Sequence, residues 1–198
     1  MRQLFFITTA VLLGFAACTD EAAYTPKPRG FPKIEFPDRA YRPFTEADCP
    51  FTFEVPTYVE VEQDTNFFDE KPLHPCWYNL RVPSLNSVIY LSYAVPGEGK
   101  DFDRLRADAF DLANKHNVRA SYIDELPFKT PNDAEGIVFD FEGPSATPFQ
   151  FYITDSLHTH FLRGSLYSET RVRPDSIAPV YDFLKGDIMH LVNTFAWQ

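Results

Sequence analysis

The sequence has little cysteine and almost no long apolar stretch. Its 198 residues contain only three cysteines, too few to cross-link a fold of this size, which excludes a small disulfide-framework protein. The longest uncharged apolar run is Leu4 to Ala17, 14 residues. A helix needs ~20 apolar residues to cross a bilayer. The sequence therefore predicts no transmembrane helix in the mature protein.

Positive charge is also scarce. Lysine and arginine total 18 against 28 aspartates and glutamates, for a formal net charge of -10. This balance disfavours general nucleic-acid binding, which requires cations to displace counterions from phosphate. Apolar residues make up 44% of the chain and aromatics 16%, which is enough for a folded core. The length suits one domain with a tail.

The N-terminus has the pattern of an export signal. Arg2 precedes the apolar run, and Phe15-Ala16-Ala17-Cys18 is similar to a bacterial lipobox, although a lipobox usually has Leu where Phe15 stands. We predict that residues 1–17 are a lipoprotein signal peptide and that Cys18 is the lipidated mature N-terminus. Several acyl chains on one residue give stable membrane anchoring. The alternative is an ordinary secretory signal cleaved near Ala17, with Cys18 incidental.

Residues 18–48 are predicted to form a lipidated, proline-rich tether. Proline at this density blocks helix and favours extended structure. Five cations alternate with aromatic residues in this segment, which is unusual in an acidic protein. The segment could dock on an acidic partner or on the protein's own acidic domain, or it could be a solvated spacer.

Residues 49–198 have the patterning of one α+β domain. Apolar and polar residues alternate in several segments, which indicates strands, and recur at helical spacing in two others. The expected strands are 51–55, 58–62, 77–82, 87–93, 118–123, 136–141, 149–154 and 160–167; the expected helices are 101–117 and a C-terminal helix from about 175. This order predicts a single domain with an antiparallel sheet packed by two main helices.

Cys49 and Cys76 are candidates for a disulfide. Each immediately precedes or opens a predicted strand, and an exported chain meets an environment in which disulfides persist. Two buried free thiols are the alternative.

The sequence shows no active site and no cofactor motif. It lacks a Gly-x-Ser-x-Gly elbow, a Cys-x-x-Cys, a glycine-rich phosphate loop and a His-Glu-x-x-His. His158 and His160, with Asp155 nearby, could begin a zinc site, but no third ligand has a defined position. Asp140 and Glu142 share one face of a strand and are interpreted as solvated charge. We predict no catalytic residue, no metal and no cofactor.

Two aromatic strands could form either a binding patch or core. The segments 149–156 and 161–167 are rich in aromatics and include Arg163 and Gly164. A glycine within a strand pattern often marks a bulge or a close approach of other atoms. Core packing is the interpretation we favour over a protein-binding patch.

Several strings together resemble the GldD family of gliding-motility lipoproteins of the Bacteroidetes. They span essentially the mature chain: Tyr24-Thr-Pro-Lys-Pro-Arg-Gly30, Cys49-Pro-Phe-Thr-Phe-Glu-Val-Pro56, Phe67-Phe-Asp-Glu-Lys-Pro72 with Cys76-Trp77, Ile89-Tyr-Leu-Ser-Tyr93, His160-Phe-Leu-Arg-Gly-Ser-Leu-Tyr167 and Asp175-Ser-Ile-Ala-Pro179. The resemblance implies a lipoprotein needed for gliding and for type IX secretion, with Cys18 as the lipidated residue and no catalytic residue to transfer. The element order also resembles the small α/β sandwiches of PsbP- and Mog1-type proteins, an architectural analogy only.

Two functions follow from this reading. The first is a non-catalytic lipoprotein of the cell envelope, anchored at the outer membrane and facing either the periplasm or the surface, that contacts other gliding and type IX secretion proteins. The second is a surface protein that binds or hydrolyses polysaccharide, with Trp77, Tyr90 or Tyr152 as a platform for sugar rings.

Overall fold

A computed structural model describes residues 30, 33–66, 71–170 and 174–198. The chain divides into two units, 1–33 and 34–198, and everything below concerns the second. Its elements, in chain order, are β1 (Tyr41–Thr45), β2 (Phe51–Pro56), β3 (Glu60–Gln63), β4 (Tyr78–Val82), a 3₁₀ turn (Pro83–Leu85), β5 (Ser87–Ala94), α1 (Phe102–Asn114), β6 (Tyr122–Lys129), β7 (Ala134–Glu142), β8 (Phe149–Asp155), β9 (Phe161–Ser168), α2 (Pro174–Thr194) and β10 (Ala196–Trp197). Neither helix in this part of the chain has the length and apolar character needed to span a membrane.

The strands form two sheets. Seven of them make one antiparallel sheet in the order β3-β4-β5-β9-β8-β7-β6. A smaller antiparallel sheet has the order β1-β2-β10. With two helices packed on these sheets, the predicted α+β class, a large antiparallel sheet with two main helices, is confirmed.

One face of the seven-stranded sheet, which we call the closed face, is covered by α2 and by the smaller sheet. The buried apolar side chains of all three form a single core that includes Phe53, Leu80 and Leu184. Phe151 of β8 pairs with Gly164 of β9 on this face, and a Cβ built on Gly164 would lie 2.1 Å from the Phe151 ring. The glycine is therefore required for the close approach of that ring.

The other face, which we call the open face, carries α1. The Asp101 side chain accepts a hydrogen bond from the Arg104 amide at 2.8 Å and so caps the first turn of α1. Ala109 and Ala113 of the helix are buried against a second, smaller aromatic cluster from β7, β8 and β9, which consists of Phe139, Phe141, Tyr152 and Phe161. That cluster contains no buried residue of β3, β4 or β5, so α1 covers only part of the open face.

The structure differs from the expected element bounds in three places. Residues 41–45, assigned to the tether, form β1 and pair with β2, and the folded unit begins at Ile34. The short C-terminal strand β10 was not expected. The strand expected at 118–123 occupies Tyr122–Lys129 instead, because residues 115–121 form turns after α1.

Candidate functional site

The predicted signal peptide, Cys18 and most of the tether lie outside the described residues. Cys49 and Cys76 lie within them. Their sulfur atoms are 2.06 Å apart and their Cα atoms 5.6 Å apart, and both residues are almost fully buried. This bond joins the start of β2 in the smaller sheet to the residues just before β4 in the larger one.

The two histidines of the His-x-His pair contact different parts of the molecule. The His158 ring stacks on Phe102 of α1 with centroids 3.8 Å apart, whereas the His160 ring stacks on Trp197 and its Nδ1 lies 2.6 Å from the Tyr93 hydroxyl. The expectation that both imidazoles share one face is wrong, because His158 lies in a turn with a φ of 55°. Among the described residues, no group of three or more His, Cys, Asp or Glu is arranged to hold a metal.

The aromatic strands are mainly core, as favoured above. Every residue of β8 from Phe149 to Thr154 is buried. Tyr152, one of the three residues suggested as a sugar platform, is only 5% exposed and stacks on Phe161. Trp77 donates from Nε1 to the Tyr93 carbonyl at 2.8 Å, on the closed side. Of the three, only Tyr90 is exposed, so they do not form a common platform.

The carboxylates on β7 are not simply solvated. Asp140 forms an ion pair with Lys185 of α2. Glu142 is exposed at the end of the same strand.

A buried carboxylate on α2 holds the N-terminal segment of the folded unit. Asp187 is 3% exposed and accepts hydrogen bonds from Arg39 Nε at 3.1 Å, from the Tyr41 hydroxyl at 2.8 Å and from the Tyr58 hydroxyl. The Arg39 guanidinium also lies 4.3 Å from the centre of the Phe183 ring. We call Arg39, Tyr41, Tyr58 and Asp187 the clasp.

The clasp shows where part of the expected tether docks. Desolvation and the hydrogen bond to Asp187 raise the pKa of Tyr41 to about 12, so its hydroxyl keeps its proton at neutral pH. The same two causes raise the pKa of Tyr58. For residues 34–45, the alternative of docking on the protein's own acidic domain is therefore the one that the structure shows.

The uncovered part of the open face forms a cleft beside the C-terminal end of α1. Its volume is about 850 Å³. We call it the open-face cleft; its lining comes from strands β4, β5 and β9, from the end of α1, and from the segments after β3 and β9: Asp64, Asn66, Asn79, Arg81, Val88, Tyr90, Leu112, Lys115, His116, Arg163, Ser165, Tyr167, Ser168 and Glu169.

The two arginines of the cleft have different partners. Arg81 is neutralised by two carboxylates, with Nε 2.7 Å from Glu62 and Nη1 2.8 Å from Glu169. Arg163 donates from Nη2 to the Gln150 side-chain oxygen at 2.6 Å, and no carboxylate of the described residues lies within ion-pair distance of it. Burial lowers the pKa of the Arg163 guanidinium, which nevertheless stays charged at neutral pH.

The other titratable groups in the cleft respond to the same burial. The pKa of His116 is lowered, first by burial and second by the positive charge of Arg163. Burial raises the pKa of Tyr167. The His116 imidazole is therefore neutral at pH 7, and one of its ring nitrogens can donate a hydrogen bond.

The sequence contained a signal for both features. Asp187 lies between Leu184 and Leu191 in the apolar stripe of α2, and an acid at such a position requires buried donors. Alternation along β9 places Arg163, Ser165 and Tyr167 on the face opposite Leu162 and Leu166. The sequence could not show that α1 ends beside that row.

Comparison with known proteins identifies the family. The family model described as gliding motility lipoprotein GldD matches residues 21–197. The chain belongs to this family. Membership makes it a lipoprotein of the cell envelope associated with gliding motility, which is what the sequence strings predicted. A search among curated proteins found no match.

Among solved structures, the fold is similar to that of the cyanobacterial PsbP protein (CyanoP) from Synechocystis sp. PCC 6803, determined in solution. The TM-score is 0.49 and the identity 6%, with 82% of this chain and 95% of that chain covered. The similarity concerns architecture and implies nothing about function.

Proposed function

We propose that this protein is a non-catalytic accessory lipoprotein, anchored at the outer membrane through Cys18, that supports gliding motility and type IX secretion by contacting other envelope proteins. The observation that carries the proposal is the family match over residues 21–197. The Phe15-Ala16-Ala17-Cys18 string supports lipidation at Cys18, and the acidic residues Thr19-Asp20-Glu21 that follow it are compatible with export to the cell surface.

The structure supports a folded unit held close to its N-terminal lead. The clasp and strand β1 fix residues 39–45 onto α2 and β2. A lipid at Cys18 would thus be separated from the folded unit, which begins at Ile34, by the intervening residues 19–33. We infer that the fixed lead limits how far the domain can move from its membrane.

Affinity purification from detergent-extracted membranes, followed by mass spectrometry, tests this proposal. We expect the native chain to recover gliding or type IX secretion proteins, and the Cys18→Ser variant to lose both these partners and its membrane association. A Thr19→Ser variant is the matched control and should behave like the native chain. Recovery of the same partners with Cys18→Ser would contradict the anchored role, and recovery of none with the native chain would contradict the accessory role.

A further inference from the structure

We propose that the open-face cleft binds an oxyanion, the carboxylate or phosphate group of a small ligand, with Arg163 as its main recognition group. The site is separate from the clasp, the disulfide and the predicted lipid anchor. Its test uses purified protein, so its outcome does not depend on the role proposed above.

The first observation is the position of Arg163. A guanidinium taken from water needs a carboxylate or several acceptors to offset its desolvation. Arg163 is largely buried, yet the described residues supply it with one neutral acceptor, the Gln150 side-chain oxygen. Its remaining N–H groups are suited to an incoming carboxylate or phosphate, which an arginine binds through two parallel hydrogen bonds.

The second observation is a pair of buried polar groups beside Arg163 without partners. Ser165 lines the cleft and is 2% exposed, and its Oγ has no hydrogen-bond partner among the described residues. Gln150 pairs with Ser165 across β8 and β9, is 1% exposed, and its Nε2 lacks a partner in the same part of the chain. Buried polar groups are rarely left unpaired, so two at one site point to a missing acceptor.

The third observation is the charge around the cleft. Lys115 and His116 stand at the end of α1, where they can add donors to an anion held by Arg163. Two carboxylates also line the cleft: Glu169 is held by Arg81, and Asp64 accepts the Asn66 amide at 3.1 Å. The carboxylates therefore have donors of their own, whereas Arg163 has no counter-charge.

The walls and size fit a small organic molecule. Tyr90 and Tyr167 form an edge-to-face pair with centroids 5.8 Å apart, which gives the cleft a partly apolar wall. The volume of about 850 Å³ lies within the range of small-ligand sites. Such a cleft can hold the body of a ligand while Arg163 binds its charged group.

Thermal unfolding of the detergent-extracted full chain tests the proposal. The probes are sodium phosphate and sodium glucuronate, with sodium chloride at equal ionic strength as the reference. A ligand that binds only the folded state raises the unfolding midpoint in a concentration-dependent manner, which gives its Kd. We expect at least one probe to raise the midpoint: phosphate alone would indicate a phosphate site, and glucuronate alone a carboxylate site.

Matched variants assign the effect to the cleft. Arg163→Gln should weaken binding by about tenfold or more, because a charged hydrogen-bond donor is lost. Lys129→Gln removes an exposed cation on β6, outside the cleft, and should leave the Kd unchanged. If Arg163→Gln does not fold, Lys115→Gln and Ser165→Ala replace it, and both should weaken binding. No midpoint shift with either probe, or a shift of equal size in the cleft variants, would overturn the proposal.

Discussion

The two faces of the seven-stranded sheet are built from the same strands but differ in what covers them. On the closed face, α2 and the smaller sheet bury an apolar core that includes Phe53, Leu80 and Leu162. On the open face, α1 covers the part formed by β7, β8 and β9, and the remainder carries Arg81, Tyr90 and Arg163 around a cleft.

The difference teaches how one strand can serve two purposes. Successive side chains of a strand point to opposite faces, so a strand can contribute apolar residues to a core and polar residues to a cleft. In β9, Leu162 and Leu166 are fully buried on the closed face, while Arg163 and Tyr167 line the cleft. Stability should therefore depend mainly on one set of positions and ligand recognition on the other.

The largest expected effect is on the closed face. Phe151→Ala removes a ring that is 1% exposed and packs over Gly164. We expect the free energy of unfolding to fall by about 3 to 5 kcal/mol, because transfer free energy is lost and a cavity remains. Urea unfolding measures this change.

Arg163→Gln, on the neighbouring strand but on the open face, is the control for Phe151→Ala. It should change the free energy of unfolding by less than about 1 kcal/mol, since the guanidinium has no counter-charge to lose. Equal losses for the two variants would contradict the division between the faces.

The next effect concerns the bond that joins the two sheets. Replacing both Cys49 and Cys76 by Ala should lower the free energy of unfolding by about 2 to 5 kcal/mol, as expected for a structural disulfide of this loop length. Alkylation with and without reductant, followed by mass measurement, checks the bond itself. Alkylation of both cysteines without reductant would show that the pairing is absent in the protein.

The clasp should contribute less. Asp187→Asn removes the charge that accepts hydrogen bonds from Arg39, Tyr41 and Tyr58. We expect a loss of about 1.5 to 3 kcal/mol in the free energy of unfolding, the range for hydrogen bonds to a charged group. Asp182→Asn, an exposed acid on the same helix, is the control and should have little effect. Similar losses in both variants would show that helix charge, and not the clasp, matters.

The smallest effect is a pH dependence that arises on the open face. The pKa of His116 is lowered below 6.5 in the folded chain, so the unfolded state binds more protons as the pH falls. His116 therefore favours folding above about pH 6.5, and this contribution is lost on acidification. The loss should be roughly a few tenths of a kcal/mol, because the ring is partly exposed to solvent.

Unfolding measured at pH 7 and at about pH 5.5, on either side of the ordinary histidine pKa, tests this dependence. His74, whose pKa is also lowered by burial, shares the trend, so the His116→Gln variant isolates one ring. The native chain should lose more stability than His116→Gln over this interval. A larger loss in the variant would contradict the assignment.

Much of the fold could be predicted because most elements bury one side and so show a clear period. The alternation in β4 and β9 and the apolar stripe of α2 are examples. Strand β6 was misplaced because it contains Pro127 and lies at the sheet edge with most residues exposed or half-exposed, so its sequence does not alternate clearly. Strands β1 and β10 are short, and their pairing with β2 is a tertiary property.

The candidate site was less predictable than the fold. Alternation alone placed Arg163 and Ser165 on one face, but the cleft exists because α1 leaves β4 and β5 uncovered. No local pattern records where a helix ends over a sheet. The clasp similarly depends on contacts between residues more than 100 positions apart in the sequence, such as Tyr41 and Asp187.

The central claim, that the face left open by the fold is the one the protein uses, is tested most directly by complementation. A gliding bacterium that lacks its own family lipoprotein would receive the native chain, Arg163→Gln or Lys129→Gln, with protein level and unfolding midpoint measured for each. We predict that Arg163→Gln is folded and present at the native level but fails to restore gliding, whereas the native chain and Lys129→Gln restore it. Full restoration of gliding by Arg163→Gln would contradict the claim.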